Sequence, residues 1–333
     1  MPAWHAGRML RIGILGAAGI APNAIITPAR RRDDVEIVAV ASRSTSSASA
    51  YATAHSIPRS YGGYEQLLAD PDIDLVYNAL PPSEHARWSI AALEAGKNVL
   101  CEKPFAMSAG EARSMTTAAS DTGLRLIEAF HDRYHPLSAE IDRIVASGRL
   151  GEIVSAHADF TASIPFDPAS IRHDPAVGGG SLMDLGCYPV HWLRALMADE
   201  PEVLDATATV NSLGADLSVD ASLRFASGAT ARMTCSMVDG AELNSSLDVV
   251  GTLATLHVDN MVFPSKGHFV SETRDGITRN WTIAGLETYD HQLAAIVDGL
   301  ASGEKLLTEG EDSVAQMQAI DAIYAAAGFD RDR

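Results

Sequence analysis

Cysteine is scarce in this chain, and its three residues are widely separated. Cys101, Cys187 and Cys235 are odd in number, and their spacing fits neither a disulfide framework nor a zinc knuckle. The sequence also has no stretch of about 20 consecutive apolar residues, so it predicts no membrane-spanning helix. Because neither disulfides nor a membrane span are indicated, we expect a protein of the cytoplasm.

Basic side chains are also few. Lys and Arg number 25 against 43 Asp and Glu, which gives a formal net charge of −18 at pH 7. This balance argues against a nucleic-acid partner, which needs a basic face to neutralise phosphates. Low-complexity tracts and long like-charge runs are missing, which argues against disorder and coiled coil. The chain of 333 residues is long enough for two globular domains.

The first eight residues are interpreted as a flexible leader, with Met9 as an alternative start. The segment up to Ala21 resembles a secretory signal because it combines Arg8 and Arg11 with apolar residues. Glycines and Arg11 interrupt the apolar run, however, and a helical pattern follows it directly. We therefore treat the segment as part of the folded protein from residue 9 onward.

The first third of the chain alternates short apolar runs with helical patterns. The predicted strands are Leu10–Leu15, Val35–Ala41, Leu75–Asn78, Asn98–Cys101 and Leu124–Ile127. The predicted helices are Ile20–Arg31, Ser46–His55, Glu84–Ala95 and Ala109–Asp121. Strands separated by helices of this length pair in parallel through right-handed crossovers. Residues 9–130 are therefore predicted to form a doubly wound α/β domain of the Rossmann type.

The pattern changes after residue 130. The second part contains four predicted helices, Pro136–Ser147, Ser181–Met197, Thr288–Leu300 and Glu311–Ala327, and a strand at Ile153–Phe160. A long loop rich in Pro, Asp and Gly covers Ile164–Gly180, and successive strand-like stretches run from Val203 to about Val270. Closely spaced strands with turn signals between them favour an antiparallel sheet. Residues 131–333 are predicted to form an α+β domain with a large, mostly antiparallel open sheet.

A candidate phosphate-binding loop follows the first strand, with the sequence Gly13-Ile-Leu-Gly16-Ala17-Ala18-Gly19-Ile20-Ala21. A dinucleotide site needs a tight turn whose backbone N–H groups face a pyrophosphate at a helix N-terminus. Gly16 fits the tight turn, Ala18 stands where the usual fingerprint has its second Gly, and Ala21 suffices for close packing. A glycine-rich string by itself often marks only a turn, but the strand before it and the helix after it favour dinucleotide binding.

The end of the second strand indicates which dinucleotide is bound. An NAD enzyme commonly places Asp or Glu there, whereas Arg accommodates the 2′-phosphate of NADP. The strand ends in Ser42-Arg43-Ser44, and the acids Asp33, Asp34 and Glu36 lie at its other end. A guanidinium flanked by two hydroxyls suits a phosphate, so we favour NADP(H), with NAD as the alternative. The other interpretation of Arg43 is a solvated loop residue.

Several motifs together resemble a known family. They are Ala79-Leu80-Pro81-Pro-Ser83-Glu-His85, Glu102-Lys103-Pro104, Arg133-Tyr-His135-Pro136 and Gly178-Gly-Gly-Ser-Leu-Met-Asp184-Leu-Gly-Cys-Tyr188-Pro189. The combination resembles the Gfo/Idh/MocA oxidoreductases over nearly the whole chain. It is most similar to the branch with NADP-dependent xylose dehydrogenases and dimeric dihydrodiol dehydrogenases.

The resemblance implies roles for particular residues. Lys103 would reach the reacting hydroxyl or carbonyl. Residues around the cofactor would be residues 16–20, Ser42, Arg43, Leu80, Pro81, Ser83, His85, Glu102 and Lys103 itself. In inositol dehydrogenase-like members, an Asp and a His occupy the positions of Asp184 and Tyr188. The resemblance therefore implies that Tyr188 is the proton-transfer group. Because this chain has Tyr where those members have His, the resemblance argues against inositol as the substrate. The resemblance also implies a homodimer or homotetramer formed through the C-terminal sheet.

Oxidation of an alcohol requires hydride loss to the cofactor and proton loss to a protein group. Asp184 and Tyr188 are four residues apart on a predicted helix and so share a face, which Pro189 should kink. A nearby ammonium such as Lys103 favours the phenolate form of Tyr188, whereas Asp184 opposes it. Lys103 could instead only cap a strand end, and Tyr188 could be a packing residue.

Three further residues are candidates for the substrate site, each with an alternative. His191 shares the helix face of Asp184 and is the reserve acid or base, although a helix histidine is more often packed. His135 is a substrate contact or a helix-start residue, and Arg172 holds substrate hydroxyls or is solvated. No spacing of His, Cys, Asp and Glu indicates a metal site.

The sequence thus predicts an NADP(H)-dependent oxidoreductase acting on a secondary alcohol or carbonyl of a sugar, sugar derivative or cyclic diol. One alternative is a ketoreductase on a nucleotide-linked sugar, which would need a cationic surface such as Arg133 and Arg172. The other is a sensor that binds NADP(H) without turnover, against which the presence of Lys103 counts.

Overall fold

The computed structural model describes residues 7–329, which divide into two compact units. The first unit comprises the chain up to His131 and the returning segment Tyr289–Val314, and the second comprises Asp132–Thr288 and the chain from Ala315 onward. Six of the eight predicted leader residues lie outside the described residues. Of the other two, Arg8 forms an ion pair with Asp74 at 3.2 Å.

A parallel sheet of six strands forms the centre of the first unit, in the spatial order β3-β2-β1-β4-β5-β6. The strands are β1 (Leu10–Leu15), β2 (Val35–Ala41), β3 (Arg59–Tyr61), β4 (Leu75–Asn78), β5 (Asn98–Cys101) and β6 (Leu126–Glu128). Strand order reverses beside β1, which pairs with β2 on one side and β4 on the other. The predicted doubly wound fold is confirmed.

Helices connect these strands. They are a π-helical turn (Pro22–Ile26) that continues into α1 (Thr27–Arg30), then α2 (Thr45–His55), α3 (Tyr64–Leu68), α4 (His85–Glu94) and α5 (Ala109–Thr122). Serine side chains begin two of them: Ser44 accepts the N–H of Ser47, and Ser108 accepts that of Glu111. The sequence did not predict β3 and α3, since three polar residues and a five-residue helix carry no clear period.

An eight-stranded sheet dominates the second unit, in the order β14-β13-β12-β11-β7-β10-β9-β8. Its strands are β7 (Ile153–Thr161), β8 (Glu202–Val210), β9 (Asp216–Arg224), β10 (Thr230–Ser236), β11 (Asn244–Gly251), β12 (Thr255–Val258), β13 (Val270–Arg274) and β14 (Ile277–Trp281). Only the pair β7–β10 is parallel, which confirms the mostly antiparallel sheet. The last hairpin extends beyond the predicted strand region.

Helices of the second unit are α6 (Pro136–Ala146) and α7 (Cys187–Met197), the latter preceded by a π-helical turn (Leu182–Gly186). The one helix predicted from Ser181 to Met197 is therefore two segments. Pro189 has no N–H to offer the carbonyl of Leu185, and the π-helical turn ends just before this gap. Two further helices end the chain, α8 (Thr288–Ser302) and α9 (Glu311–Ala326).

The buried carboxylate of Asp216 anchors the start of the helical segment that carries Asp184 and Tyr188. Its Oδ2 accepts hydrogen bonds from the Ser181 hydroxyl and the Leu182 N–H, both at 2.7 Å, and its Oδ1 accepts one from the Tyr324 hydroxyl at 2.8 Å. Asp216 is 1% exposed. Three donors compensate the loss of hydration of this charge, so β9, α9 and the helix start are joined at one point.

The segment Tyr289–Val314 returns to the first unit, although the predicted division at residue 131 assigned it to the second domain. Leu293, Ile296 and Val297 pack into the core around β1 and β4. The Arg125 guanidinium binds the carboxylate of Glu309 at 2.8 Å, and the Thr308 hydroxyl donates to the carbonyl of Glu128 at 2.7 Å. This segment lies far along the chain from the strands that it packs against, so no local sequence pattern predicts its place in the first unit.

The ring of His131 packs against that of Tyr289, with 4.1 Å between centroids. His131 is buried, and burial together with the nearby ammonium of Lys103 lowers its pKa to about 3. The imidazole is therefore neutral in the folded protein at neutral pH.

Replacement of Asp216 by Asn should destabilise the protein by about 2–4 kcal/mol, because the amide group turns an N–H toward at least one donor. Tyr324→Phe, which removes one donor and leaves the charge with two, should cost about 1–2 kcal/mol. Urea unfolding followed by circular dichroism measures both variants. Equal stability of Asp216→Asn and wild type would contradict this account.

Acid should destabilise the protein through His131. Its unfolded form takes up a proton below about pH 6.5 and its folded form only near pH 3, so the unfolding free energy falls by about 1.4 kcal/mol per pH unit in that window. His131→Phe keeps a ring against Tyr289 and removes this loss, about 2 kcal/mol between about pH 7 and pH 5. Urea unfolding of both proteins at the two pH values checks this. The idea fails if their pH dependences coincide.

Candidate active site

The carboxyl end of β1 forms the predicted phosphate loop. Gly16 has a φ of +97° and donates its N–H to the carbonyl of Ala41 at 2.9 Å. A Cβ at this position would approach the side chain of Leu80 to 3.2 Å and the carbonyl of Ala79 to 3.3 Å, so glycine is required by both conformation and space.

The residues after Gly16 leave room for a ligand. Within the described chain, the N–H groups of residues 17–20 donate to no other backbone carbonyl. A Cβ on Gly19 would meet no atom within 4 Å, and the backbone here leads into the helical run from Pro22 to Arg30. This arrangement of open amides before a helix fits a pyrophosphate.

A tyrosine of α2 supports this loop. The hydroxyl of Tyr51 donates to the carbonyl of Ala18 at 2.9 Å, and the Tyr51 ring packs against the core. Burial raises the pKa of Tyr51 to about 12, so the phenol remains a neutral donor. The Tyr51 side chain thus fixes the backbone at Ala18, the position where the usual fingerprint has glycine.

The loop after β2 presents the predicted cofactor-selecting residues. Ser42 donates its N–H to the carbonyl of Tyr61 at 3.1 Å, and the side chain of Arg43 is exposed. The hydroxyl of Ser44, which also flanks Arg43, caps α2: it accepts the N–H of Ser47 and donates to the Ser47 hydroxyl. Asp34, at the amino end of β2, binds Arg32 at 2.8 Å.

The loops after β4 and β5 are joined by His85, which is 1% exposed. Its Nε2 lies 2.8 Å from the carbonyl of Leu80, and its Nδ1 lies 3.0 Å from that of Pro104. Burial lowers the pKa of His85. The hydrogen bonds with the two carbonyls raise this pKa, but the effect of burial is larger. The residue predicted to face the cofactor thus holds two loops together, while Pro81 and Ser83 lie half-buried at the surface of the turn beside it.

The motif at the end of β5 is fixed by a buried phenol. Tyr77 on β4 donates to Oε1 of Glu102 at 2.5 Å, and burial together with this carboxylate raises the Tyr77 pKa well above its usual value. The next residue, Lys103, precedes a cis peptide bond to Pro104. Its ammonium contributes to the lowered pKa values of both His85 and His131, so it lies close to two imidazoles.

The candidates Asp184 and Arg172 of the second unit form an ion pair, with Nη1 and Oδ2 2.7 Å apart. The Ser170 hydroxyl accepts the N–H of Arg172 and begins a short 3-10 turn, Ile171–His173. Arg172 is half-exposed and Asp184 is mostly buried. The structure therefore brings together two residues that the sequence placed in separate roles.

Tyr188 is buried among aromatic rings. Its ring centroid is 5.5 Å from that of Phe160 and 6.2 Å from that of Trp192. Asp184 lies in the π-helical turn and Tyr188 in the first turn of α7. Tyr188 therefore packs against two aromatic rings, and these contacts restrict the orientation of its side chain.

The two candidate histidines of the second unit are both buried. His191 lies near Asp132, whose pKa is raised by burial and lowered by His191 and by the 2.7 Å hydrogen bond from Trp192. His135 accepts the N–H of Leu137 through Nδ1 at 3.1 Å and so begins α6. Its helix-start interpretation matches the structure, and its contact with substrate stays a prediction.

Sequence analysis missed Tyr51, Tyr77 and His131. Each is a single aromatic residue on a strand, a helix or a short turn, and no motif marks it. Tyr77 acts on a residue 25 positions away, and Tyr51 on one 33 positions away. The available signal for Tyr77 was its place as an aromatic residue in the buried strand Leu75–Asn78.

The part of the chain that the structure describes contains neither a metal-ligand cluster nor a membrane-spanning helix. No group of three or more His, Cys, Asp or Glu within residues 7–329 is arranged to hold a metal ion. In the same part of the chain, no helix combines the length and apolar character needed to cross a bilayer.

Relatives named as dehydrogenases match three quarters or more of the chain. It is 36% identical to the D-xylose 1-dehydrogenase (NADP(+)) 2 of Haloferax volcanii, over 96% of this chain and 97% of the relative. It is 35% identical to a trans-1,2-dihydrobenzene-1,2-diol dehydrogenase of Danio rerio, over 75% of this chain and 74% of the relative.

Solved structures show the same fold. The 3-ketoreductase KijD10 from Actinomadura kijaniata, in complex with NADP and TDP-benzene, superposes with a TM-score of 0.89 at 27% identity, over 96% of this chain and 98% of the other. The aldose-aldose oxidoreductase from Caulobacter crescentus gives a TM-score of 0.87 at 25% identity, over the same shares.

Family models cover both parts of the chain. Residues 10–130 match the oxidoreductase family with the NAD-binding Rossmann fold, and residues 138–257 match the GFO/IDH/MocA C-terminal domain. The resemblance predicted from the sequence motifs is confirmed. The chain belongs to the Gfo/Idh/MocA family of oxidoreductases.

Proposed function

We propose that this protein transfers a hydride between NADP(H) and a secondary alcohol or carbonyl of a sugar, sugar derivative or cyclic diol. The observation that carries the proposal is the fixed Glu102-Lys103 motif at the same sheet edge as the phosphate loop. The names of the relatives, an NADP-dependent xylose dehydrogenase and dihydrodiol dehydrogenases, support this substrate class.

Residues of the first unit would hold the cofactor. The open amides of residues 17–20 suit its pyrophosphate, and Arg43 suits the 2′-phosphate. Leu80, Pro81 and Ser83 follow β4, next to β1, where strand order reverses and dinucleotides bind in this fold. When bound, the nicotinamide accepts or donates the hydride.

The protein must move a proton while the hydride is transferred. We assign this role to Tyr188, with Lys103 as the ammonium whose positive charge favours the phenolate. Asp184 would oppose the phenolate form if its charge were uncompensated. Its ion pair with Arg172 reduces the opposition, because the guanidinium neutralises the carboxylate.

A ketoreductase acting on a nucleotide-linked sugar is the second candidate. The KijD10 structure, with its TDP-benzene, favours it. The two arginines that could bind a diphosphate are engaged, however: Arg172 with Asp184, and Arg133 with Asp142 at 2.8 Å. We therefore rank the free sugar or diol first. A non-catalytic sensor ranks last because Lys103 is present.

Oligomer formation through the second sheet remains part of the proposal. The side chains of β7 alternate, with Ala156, Ala158 and Phe160 buried and those between them half-exposed. The outward face thus offers a broad surface for a second copy of the chain. The cytoplasmic location stays a prediction from the sequence.

Lys103→Met should lower kcat/KM about 10³-fold, because it removes the charge that favours proton transfer. NADPH binding, followed by nicotinamide fluorescence, should be retained. Lys305→Met, which removes an exposed lysine, is the matched control and should keep full activity. Turnover of xylose and related aldoses and diols by Lys103→Met at the wild-type rate would refute the catalytic role.

Arg43→Ala should raise the KM for NADP about 10–100-fold and leave that for NAD nearly unchanged, since a charged hydrogen bond to phosphate is lost. Arg113→Ala removes an equal charge from the exposed face of α5 and serves as control. Initial rates with both cofactors give the ratio. An unchanged NADP-to-NAD preference in Arg43→Ala would exclude Arg43 as the selecting residue.

A further inference from the structure

The turn after β3 lies directly against the turn after β2. The Tyr61 carbonyl accepts the N–H of Ser42 at 3.1 Å, and a Cβ on Gly62 would approach the backbone N of Thr45 to 3.1 Å. Residues 62–64 therefore begin in direct contact with the backbone on both sides of Arg43. This contact brings the first residue of α3, Tyr64, to the loop that selects the cofactor.

Tyr64 is held in place by an aromatic partner from α4. Its ring meets that of Trp88 edge-to-face, with 4.8 Å between centroids and an interplanar angle of 74°. Trp88 is itself fixed, since it is 5% exposed and its Nε1 donates to Oε2 of Glu84 at 2.9 Å. The guanidinium of Arg87 covers the Trp88 ring at 4.7 Å. The position of the Tyr64 ring is thus set before any ligand binds.

The phenol of Tyr64 faces two opposite charges. Burial raises its pKa, Arg43 lowers it, and Glu84 raises it, so the hydroxyl is neutral and lies within the field of the Arg43 guanidinium. Within residues 7–329, no group accepts a hydrogen bond from this hydroxyl. Oε2 of Glu84, the nearby acid, accepts from the Trp88 indole and lies 3.8 Å from Nη1 of Arg87. A donor beside an exposed arginine, fixed and without an acceptor, suits a phosphate oxygen.

We propose that Tyr64 is a second cofactor-selecting residue, whose hydroxyl donates to the 2′-phosphate that Arg43 binds. The inference rests on the proposed use of NADP(H) and extends it to a residue outside the motifs. Trp88 is a positioning residue in this arrangement, because it fixes the ring and engages the carboxylate that would otherwise compete for the hydroxyl.

The test uses two ligands that differ only in the 2′-phosphate, 2′,5′-ADP and 5′-AMP, with binding measured by isothermal titration calorimetry at fixed salt. Neither contains nicotinamide, so the result does not depend on catalysis. Tyr64→Phe keeps the ring contact with Trp88 and removes the hydroxyl. It should weaken 2′,5′-ADP about tenfold and leave 5′-AMP unchanged.

Tyr61→Phe is the matched control, because the Tyr61 hydroxyl donates to Asp70 at 2.9 Å and not toward the cofactor loop. It should retain the wild-type ratio of the two affinities, and thermal melting verifies that both variants fold. Equal weakening of both ligands by Tyr64→Phe, or no weakening, overturns the proposal. If the wild type itself binds the two ligands equally, the proposed NADP selectivity fails and this inference fails with it.

Discussion

The parallel pairing of β1, β2, β4 and β5 brings the carboxyl ends of four strands to one edge of the first sheet, and each candidate cofactor residue follows one of these ends. Parallel strands require crossover helices, so the residues that share this edge are far apart in sequence. The loops must then be held individually. Three side chains provide such contacts: Tyr51 with Ala18, Tyr77 with Glu102, and His85 with Leu80 and Pro104.

Neutral side chains make these contacts at the edge: the two phenols donate, and a neutral His85 donates to one of its two carbonyls through its single N–H. A buried phenol or imidazole fixes a loop without adding charge, whereas an added arginine or carboxylate would perturb both the bound phosphates and Lys103. Burial keeps Tyr51 protonated, raises the pKa of Tyr77 and keeps His131 unprotonated. The phenols therefore position the loops at this edge without adding charge of their own.

The periodicity of the sequence was sufficient to predict the main strands of the first sheet. It was insufficient to predict the short elements and the distant segment that pack around this sheet. Apolar runs located β1, β2, β4 and β5 with correct bounds, because buried parallel strands are continuously apolar. The short β3 and α3 lack that signal, and so Tyr64 went unnoticed. The return of Tyr289–Val314 to the first unit was missed for another reason, since long-range packing decides it.

In the second unit, the pairing of Arg172 with Asp184 changes how its loop must be understood. The residues from Ile164 to Gly180 were predicted as a long loop. They contain two 3-10 turns, and the Asn211 side chain donates to the carbonyl of His173 at 3.1 Å. Arg172 is thus held near Asp184 by local backbone structure. Because the guanidinium compensates the carboxylate, this loop contributes a positive charge to the electrostatics around Asp184, and the charge balance at the start of this helical segment depends on the fold of the loop as well as on the segment itself.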